Sequence, residues 1–130
     1  MSVPPKALKN RTILVVDDDL PSQRLVAAAL ADEECTTRFA SSAEEALSIL
    51  PSLKPHLMIV DLALPKLNGT DLTRIVKSDQ TSSDIVVVLV SSRNGRDVER
   101  EAMAAGCSAY WRKPIDAVSL PHLLAGLLEV

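Results

Sequence analysis

The chain has 130 residues, which suits one compact domain that can bury a full hydrophobic core without disulfide or metal staples. Its hydrophobic residues are mostly Leu, Val, Ala and Ile, and the 2% aromatic content disfavours a base-stacking surface for nucleic acid. The formal net charge of −3, without a long run of either sign, argues against broad attraction to nucleic acid or anionic lipid.

The sequence predicts neither a signal peptide nor a membrane span. Residues 1–10 contain two prolines and two lysines but no apolar stretch, so a flexible N-terminal tail is expected there and a single domain over residues 11–130. No apolar run approaches the ~20 residues that cross a bilayer. Cys35 and Cys107 lack metal-ligand spacing and fit two small core residues in a reducing compartment, so a cytoplasmic location is expected.

Two kinds of apolar segment alternate along the chain. Short runs rich in β-branched residues are predicted to be strands, namely Thr12–Val16, Leu57–Val60 and Ile85–Val90. Weaker signals predict two further strands, Thr36–Phe39 and Ala109–Arg112. Segments with helical periodicity lie between and after them, namely Leu20–Glu33, Ala43–Leu50, Thr70–Ser78, Arg96–Ala105 and a last helix that runs to Glu129.

Local signals predict several helix ends. Ser42 precedes the second helix as a candidate N-cap, and Pro51 is expected to stop that helix. Gly106 is a plausible C′ glycine for the fourth helix. Pro121 must lie in the first turn of the last helix, which Ser119 as N-cap would allow.

The β-α order, repeated five times, predicts a doubly wound α/β fold with a five-stranded parallel sheet and helices on both faces. The uninterrupted apolar run Ile85–Val90 indicates a central strand that is covered on both sides. The second strand is predicted at an edge of the sheet, because its end carries no chemically distinctive residue.

Polar side chains follow four of the five predicted strands. Asp17 and Asp18 come after the first, Asp61 after the third, Ser91 after the fourth and Lys113 after the fifth. Open α/β sheets bind ligands outside the carboxyl ends of their strands, so these side chains are expected at one edge.

The predicted cluster of carboxylates requires a neutralising partner. Two unit charges ~5 Å apart repel by roughly 3 kcal/mol at an effective dielectric of ~20. A hard divalent cation relieves this repulsion, and Mg²⁺ is the usual choice beside phosphate. Lys113 offsets another charge and Ser91 offers a hydroxyl. A carboxylate nucleophile, a metal, a lysine and a hydroxyl together serve phosphoryl transfer.

Four motifs at these strand ends resemble the receiver domains of bacterial two-component response regulators, and the likeness runs from Ile13 to about Leu128. The motifs are Ile13–Asp19, Leu57–Pro65, Val88–Ser92 and Tyr110–Pro114. The resemblance implies a flavodoxin-like (βα)5 fold with strand order 2-1-3-4-5. It also implies the family's loop through Pro65 and Gly69, and a cis peptide bond before Pro114.

The resemblance further implies a phosphoacceptor and a metal site. Asp61 would accept a phosphoryl group from a histidine kinase or a phosphotransfer protein. Asp18 and Asp61 would hold Mg²⁺ through their carboxylates, Asp17 through water and Ala63 through its backbone carbonyl, and Mn²⁺ can substitute. Ser91 and Lys113 would contact the phosphoryl oxygens.

A switch and its partners are also implied by the resemblance. Ser91 would move toward the phosphorylated side chain, and the Tyr110 ring would occupy the space that is released. The expected output surface comprises the fourth helix, the fifth strand and the fifth helix. It would contact a downstream protein or a fused output domain, or form a homodimer; whether the chain is a stand-alone regulator or part of a longer protein stays open. Neither nucleic acid nor membrane is expected as a direct partner.

Three alternatives compete with this interpretation. Phosphatases of the haloacid dehalogenase type also use an Asp nucleophile and Mg²⁺, but they normally need a second Asp where Ala63 stands, so multiple-turnover catalysis on an external substrate is not expected. A binding module with an inactive receiver fold would have lost a key residue, and none is lost. A dinucleotide-binding oxidoreductase would need a glycine-rich turn where Asp17–Asp19 stands.

Overall fold

The computed structural model describes residues 8–92 and 96–129. Five parallel strands form one sheet, namely β1 (Thr12–Val16), β2 (Thr36–Ala40), β3 (Leu57–Asp61), β4 (Val86–Ser91) and β5 (Ala109–Arg112). The helices that alternate with them are α1 (Leu20–Ala29), α2 (Ala43–Leu53), α3 (Gly69–Ser78), α4 (Arg96–Ala104) and α5 (Leu120–Leu128). The strand order is β2-β1-β3-β4-β5, which confirms the predicted doubly wound architecture and the edge position of β2.

Two hydrophobic clusters cover the two faces of the sheet. The first unites alternate residues of the inner strands with α2, α3 and α4, and the second unites the intervening residues with α1 and α5. Every residue of β3 is buried, as is all of β4 after its first residue, so the prediction that the fourth strand is covered on both sides is confirmed, although β3 is the middle strand of the sheet. Complete burial of one Val or Leu side chain stabilises the fold by about 1.5–3 kcal/mol, so these two strands form a rigid base for the residues at their carboxyl ends.

The ordered core begins earlier in the chain than the sequence indicated. Leu8, which the sequence placed in the flexible tail, is completely buried in the cluster of α1 and α5. The Arg11 N–H donates to the Leu8 carbonyl at 3.0 Å, which folds this segment against the start of β1. The rest of the predicted tail, residues 1–7, and the predicted domain end at Val130 lie outside the described residues.

Two helix ends differ from their predictions by more than one residue. Helix α2 does not stop at Pro51 but continues to Leu53, because proline fits a helical φ angle and the Lys54 N–H still donates to the Leu50 carbonyl at 2.9 Å. Lys54 then ends the helix in a left-handed conformation. Helix α1 ends at Ala29 rather than Glu33, since acidic residues after Leu30 oppose the negative end of the helix dipole.

The remaining end signals were partly right. Ser42 caps α2 as predicted, and Gly106 takes the positive φ of 107° expected of a C′ glycine after α4. Ser119 is at the N-cap position of α5, but its hydroxyl donates to Asp116 at 2.6 Å and does not cap the helix.

Candidate functional site

Three aspartates meet at the carboxyl ends of β1 and β3. These strands are hydrogen-bonded neighbours with Val16 opposite Val60, so the next residues, Asp17 and Asp61, lie side by side. One carboxylate oxygen from each of Asp17, Asp18 and Asp61 lies within 4.8 Å of the other two. Asp17 and Asp61 are buried and Asp18 is exposed, so the cluster has a closed floor and one open side.

Lys113 reaches this cluster from β5. Its N–H donates to the Ser91 carbonyl at 2.9 Å, which continues the pairing of β4 and β5 beyond the last strand residue. Its Nζ atom lies 3.1 Å from Asp17 Oδ2 and 3.3 Å from Asp61 Oδ2. The peptide bond that follows, Lys113–Pro114, is cis, as the resemblance implied.

Burial and charge act in opposite directions on the pKa values here. Burial raises the pKa of Asp17 above its ordinary value, although the Asp19 N–H and the Lys113 ammonium favour the ionised carboxylate. Burial alone would lower the pKa of Lys113, but the hydrogen bond to Asp17 and the charges of Asp61 and Asp17 together raise it. The ammonium of Lys113 is therefore held in its charged form, while Asp17 is a carboxylate that resists ionisation.

The loop after β3 is held against the sheet by backbone hydrogen bonds. The Leu62 N–H donates to the Val90 carbonyl at 2.8 Å, and the Gly69 N–H donates to the Leu62 carbonyl at 3.0 Å. The Ala63 N–H donates to Asp61 Oδ1 at 3.1 Å, which orients the proposed acceptor carboxylate. That the Ala63 carbonyl binds a metal remains a prediction.

Gly69 allows α3 to begin directly beneath this loop. A Cβ atom at Gly69 would lie 2.5 Å from the Asp61 carbonyl oxygen and 2.9 Å from the Leu62 Cα atom. Both are backbone atoms that cannot move aside without displacing the loop. The glycine therefore has a steric function in positioning Asp61.

Ser91 and Tyr110 lie on the same face of the sheet. Tyr110 is opposite Leu89 in the register of β4 and β5, and Ser91 is two residues beyond Leu89. The Ser91 side chain is 1% exposed at the end of β4, while Tyr110 is half-buried against the cluster of α2, α3 and α4. Trp111 packs against the cluster of α1 and α5, so the rings of Tyr110 and Trp111 lie on opposite faces of the sheet.

The sequence did not identify Gln23 as part of the site. Its Nε2 atom donates to the Asp17 carbonyl at 2.6 Å from the first turns of α1. Asp19 caps the same helix by accepting the Ser22 N–H at 3.1 Å. A polar residue in the first turns of a helix is common, so only the folded position of the loop distinguishes Gln23 from an ordinary surface residue.

A cleft of about 420 Å³ opens beside the cluster, between α1 and the segment after β5. Pro21, Leu25, Pro114 and Ile115 give it apolar walls, and Lys113 lines the end toward the aspartates. A larger cavity of about 600 Å³ lies at the opposite end of the sheet, and none of the predicted site residues lines it. The smaller cleft is therefore the one connected to the aspartate cluster.

The aspartate cluster fits a small divalent cation. Oxygen atoms bound to one Mg²⁺ at about 2.1 Å lie roughly 3–4 Å from one another in an octahedron, and the three carboxylates need only small movements to reach that spacing. The all-oxygen donor set is also the kind that Mg²⁺ prefers. Asp17, Asp18 and Asp61 are thus the described residues that could hold it.

The sequence matches the response regulator receiver domain family over residues 13–125. This chain belongs to that family. Phosphate regulon transcriptional regulatory protein PhoB of Pseudomonas aeruginosa is 30% identical over 92% of the receiver domain and 52% of PhoB. Response regulator PleD of Caulobacter vibrioides is 33% identical over 83% of the receiver domain and 24% of PleD. Chemotaxis protein CheY-3 of Vibrio cholerae is 29% identical over 93% of the receiver domain and 94% of CheY-3.

The receiver domain thus spans about half of PhoB and nearly the whole of CheY-3. A CheY-like receiver domain protein from Methanospirillum hungatei has the same fold, with a TM-score of 0.85 at 23% identity over 93% of this chain and 95% of that one. The BeF3-activated DrrB receiver domain matches with a TM-score of 0.84 at 23% identity over 93% and 99%. Within residues 8–92 and 96–129, no helix is long and apolar enough to cross a membrane.

Proposed function

We propose that this receiver domain is a phosphorylation-controlled switch, in which Asp61 accepts a phosphoryl group from a histidine kinase or a histidine phosphotransfer protein. The observation that carries the proposal is the convergence of three aspartates on one point with the Lys113 ammonium against two of them. A purely structural acidic turn would not need a buried nucleophile, two further carboxylates and a lysine from three different strand ends.

The chemical step is a transfer between two side chains. A carboxylate oxygen of Asp61 attacks the phosphorus of a phosphohistidine, the O–P bond forms, and the N–P bond breaks with its electron pair leaving on the histidine nitrogen. Lys113 and Ser91 donate hydrogen bonds to the phosphoryl oxygens. Mg²⁺, or Mn²⁺ in its place, would be held by the carboxylates of Asp18 and Asp61, by Asp17 through water and by the Ala63 carbonyl, and when bound it would supply positive charge for those oxygens.

The cleft that Lys113 lines supports a protein donor over a small one. Its apolar walls at Pro21, Leu25 and Ile115 offer a surface on which a partner's apolar helix face can pack. Lys113 lies at its inner end, so a histidine carried on that partner would face the acceptor carboxylate. We place this exchange in the cytoplasm, in keeping with the two free cysteines.

The output is proposed to be a change in the face formed by α4, β5 and α5. Ala102 is the one buried residue of α4, so this helix has a thin apolar contact with the sheet and can shift at small energetic cost. Tyr110 lies under that helix, on the face that Ser91 shares. The partner would be a downstream protein, a fused output domain or a second copy of the chain.

Incubation with acetyl phosphate and Mg²⁺, followed by intact mass measurement, tests the acceptor. A gain of about 80 Da, the mass of one phosphoryl group, is expected for the wild type and not for Asp61→Asn. Asp84→Asn is the matched control, because Asp84 is an exposed acid outside the cluster and its replacement should leave the mass gain intact.

An unmodified wild type, under conditions in which a known receiver domain reacts, would favour a binding module that uses the fold without phosphorylation. Sustained release of phosphate from a generic phosphoester would instead favour a phosphatase. The second outcome is not expected, because Ala63 stands where a general acid would be needed.

A further inference from the structure

We propose that Gln23 is a positioning residue for the metal-binding carboxylates, an inference that rests on the proposed function. Gln23 is half-buried in the first turns of α1. Its Nε2 atom donates to the backbone carbonyl of Asp17 at 2.6 Å. The orientation of this amide is decided by chemistry, because only the nitrogen end can donate to a carbonyl oxygen.

Gln23 contacts the turn between β1 and α1 at both of its ends. Its backbone N–H donates to the Asp19 carbonyl at 3.1 Å, while its side chain donates to the Asp17 carbonyl. Asp17 is also held by three other bonds. Its own N–H donates to the Ala40 carbonyl at 3.0 Å, its Oδ1 accepts from the Asp19 N–H at 2.9 Å, and its Oδ2 accepts from Lys113 Nζ at 3.1 Å. Of these bonds to Asp17, the one from Gln23 is the one that joins Asp17 directly to α1, while the Asp19 side chain caps the same helix.

The hydrogen bond from Gln23 matters because repulsion between the carboxylates favours a more open turn. Asp17 and Asp18 carry their carboxylates toward Asp61, and their mutual repulsion favours a wider separation than a small cation requires. A hydrogen bond that holds the turn closed lowers the energy needed to gather these oxygens. Groups that orient metal ligands typically contribute about tenfold or more to metal affinity, and a single backbone tie is expected to contribute about five- to tenfold.

The test compares Gln23→Met with Ala27→Met. Methionine has nearly the length of glutamine but no donor, and Ala27 is an exposed α1 residue that receives the same side chain. The rate of phosphorylation by acetyl phosphate is measured as a function of Mg²⁺ concentration. In Gln23→Met, the half-saturating Mg²⁺ concentration should rise about five- to tenfold, while the rate at saturating Mg²⁺ stays within about twofold of wild type. Ala27→Met should match the wild type in both.

A purely structural function of Gln23 would lower the stability of the protein without this separation of affinity from rate. Unchanged half-saturation in Gln23→Met, or a reduced rate at saturating Mg²⁺, would therefore overturn the inference. If Gln23→Met does not fold by circular dichroism, Gln23→Asn replaces it, because its amide is one methylene too short to reach Asp17 and the same shift is expected.

Failure of the proposed function gives a different result. In that case even the wild type stays unphosphorylated at every Mg²⁺ concentration. A Mg²⁺ titration followed by the amide NMR signals of Asp17 and Asp18 still compares the variants, and equal affinities would reject Gln23 as a positioning residue.

Discussion

At the scale of single residues, ionisation of the buried Asp17 carboxyl is expected to lower the stability of the folded protein. Its pKa is raised mainly by burial, so ionisation is less favourable in the folded protein than in the unfolded chain. For an acid of this kind, stability falls as pH rises above its ordinary value of 3.8, and the full cost is present above the folded pKa. Below both values the group is protonated in either state, and the cost disappears.

Asp17→Asn should therefore stabilise the protein at pH 7 without divalent cations, by about 0.5–1 kcal/mol in the free energy of unfolding. The gain should vanish at about pH 3, below the ordinary pKa of an aspartate. Urea unfolding in a chelator at the two pH values measures it, with Asp84→Asn as the exposed control. A less stable Asp17→Asn protein at pH 7 would show that the bond to Lys113 outweighs burial.

The residues of the site differ in how far the sequence could identify them. Asp17, Asp61, Ser91 and Lys113 were predictable because each ends or directly follows a strand whose apolar pattern marks its end, and parallel strands bring such ends together. Gln23 was not predictable, because its contact depends on how a three-residue turn folds back on α1.

At the scale of elements, replacement of glycine by alanine is expected to have opposite effects on stability at the start of α3 and in the interior of α5. An added methyl group at Gly69 would meet the backbone of Asp61 and Leu62, whereas one at Gly126 would meet nothing within 4 Å. Gly69→Ala should destabilise the protein by about 1–3 kcal/mol, because the added methyl group would displace the backbone of Asp61 and Leu62. The same displacement should slow phosphorylation of Asp61. Gly126→Ala should stabilise it by about 0.5–1 kcal/mol through helix propensity.

Denaturant unfolding of the two alanine variants, with the acetyl phosphate reaction measured in parallel, tests this pair. Equal phosphorylation rates for Gly69→Ala and the wild type would mean that the loop tolerates displacement.

Element boundaries also show where sequence patterns lose their information. The ends of the strands were predicted to within one residue, because the run of apolar residues stops where each strand ends. The end of α2 was mispredicted at Pro51, since proline removes only one hydrogen bond near a C-terminus and the helix can complete its last turn. The end of α1 was mispredicted at Glu33, because burial stops at Leu30 and the acidic residues that follow disfavour a further helical turn.

At the scale of the whole molecule, the uneven attachment of α4 supports the proposed movement of this helix. The carboxyl end of α4 is anchored by Ala102, which is fully buried, and by the Cys107 thiol, which donates to the Ala102 carbonyl at 3.2 Å. Its amino-terminal half is largely exposed. Strands β3 and β4 are buried on both faces, so a change in their position would disrupt the packed core. We therefore expect phosphorylation of Asp61 to move α4 and Tyr110 instead.

Hydrogen exchange in saturating acetyl phosphate and Mg²⁺ should therefore change in α4 and β5 and remain constant in α2 and β2. Tyr110→Leu should be phosphorylated as fast as the wild type but lose at least about half of the exchange response in α4, because it lacks the ring that we propose couples Ser91 to the helix. Trp111→Leu is the matched control, since this neighbouring ring packs on the opposite face and its loss should leave the α4 response intact. A response spread evenly over all five helices, or one that survives in Tyr110→Leu, would show that the signal leaves the phosphorylated aspartate by another route.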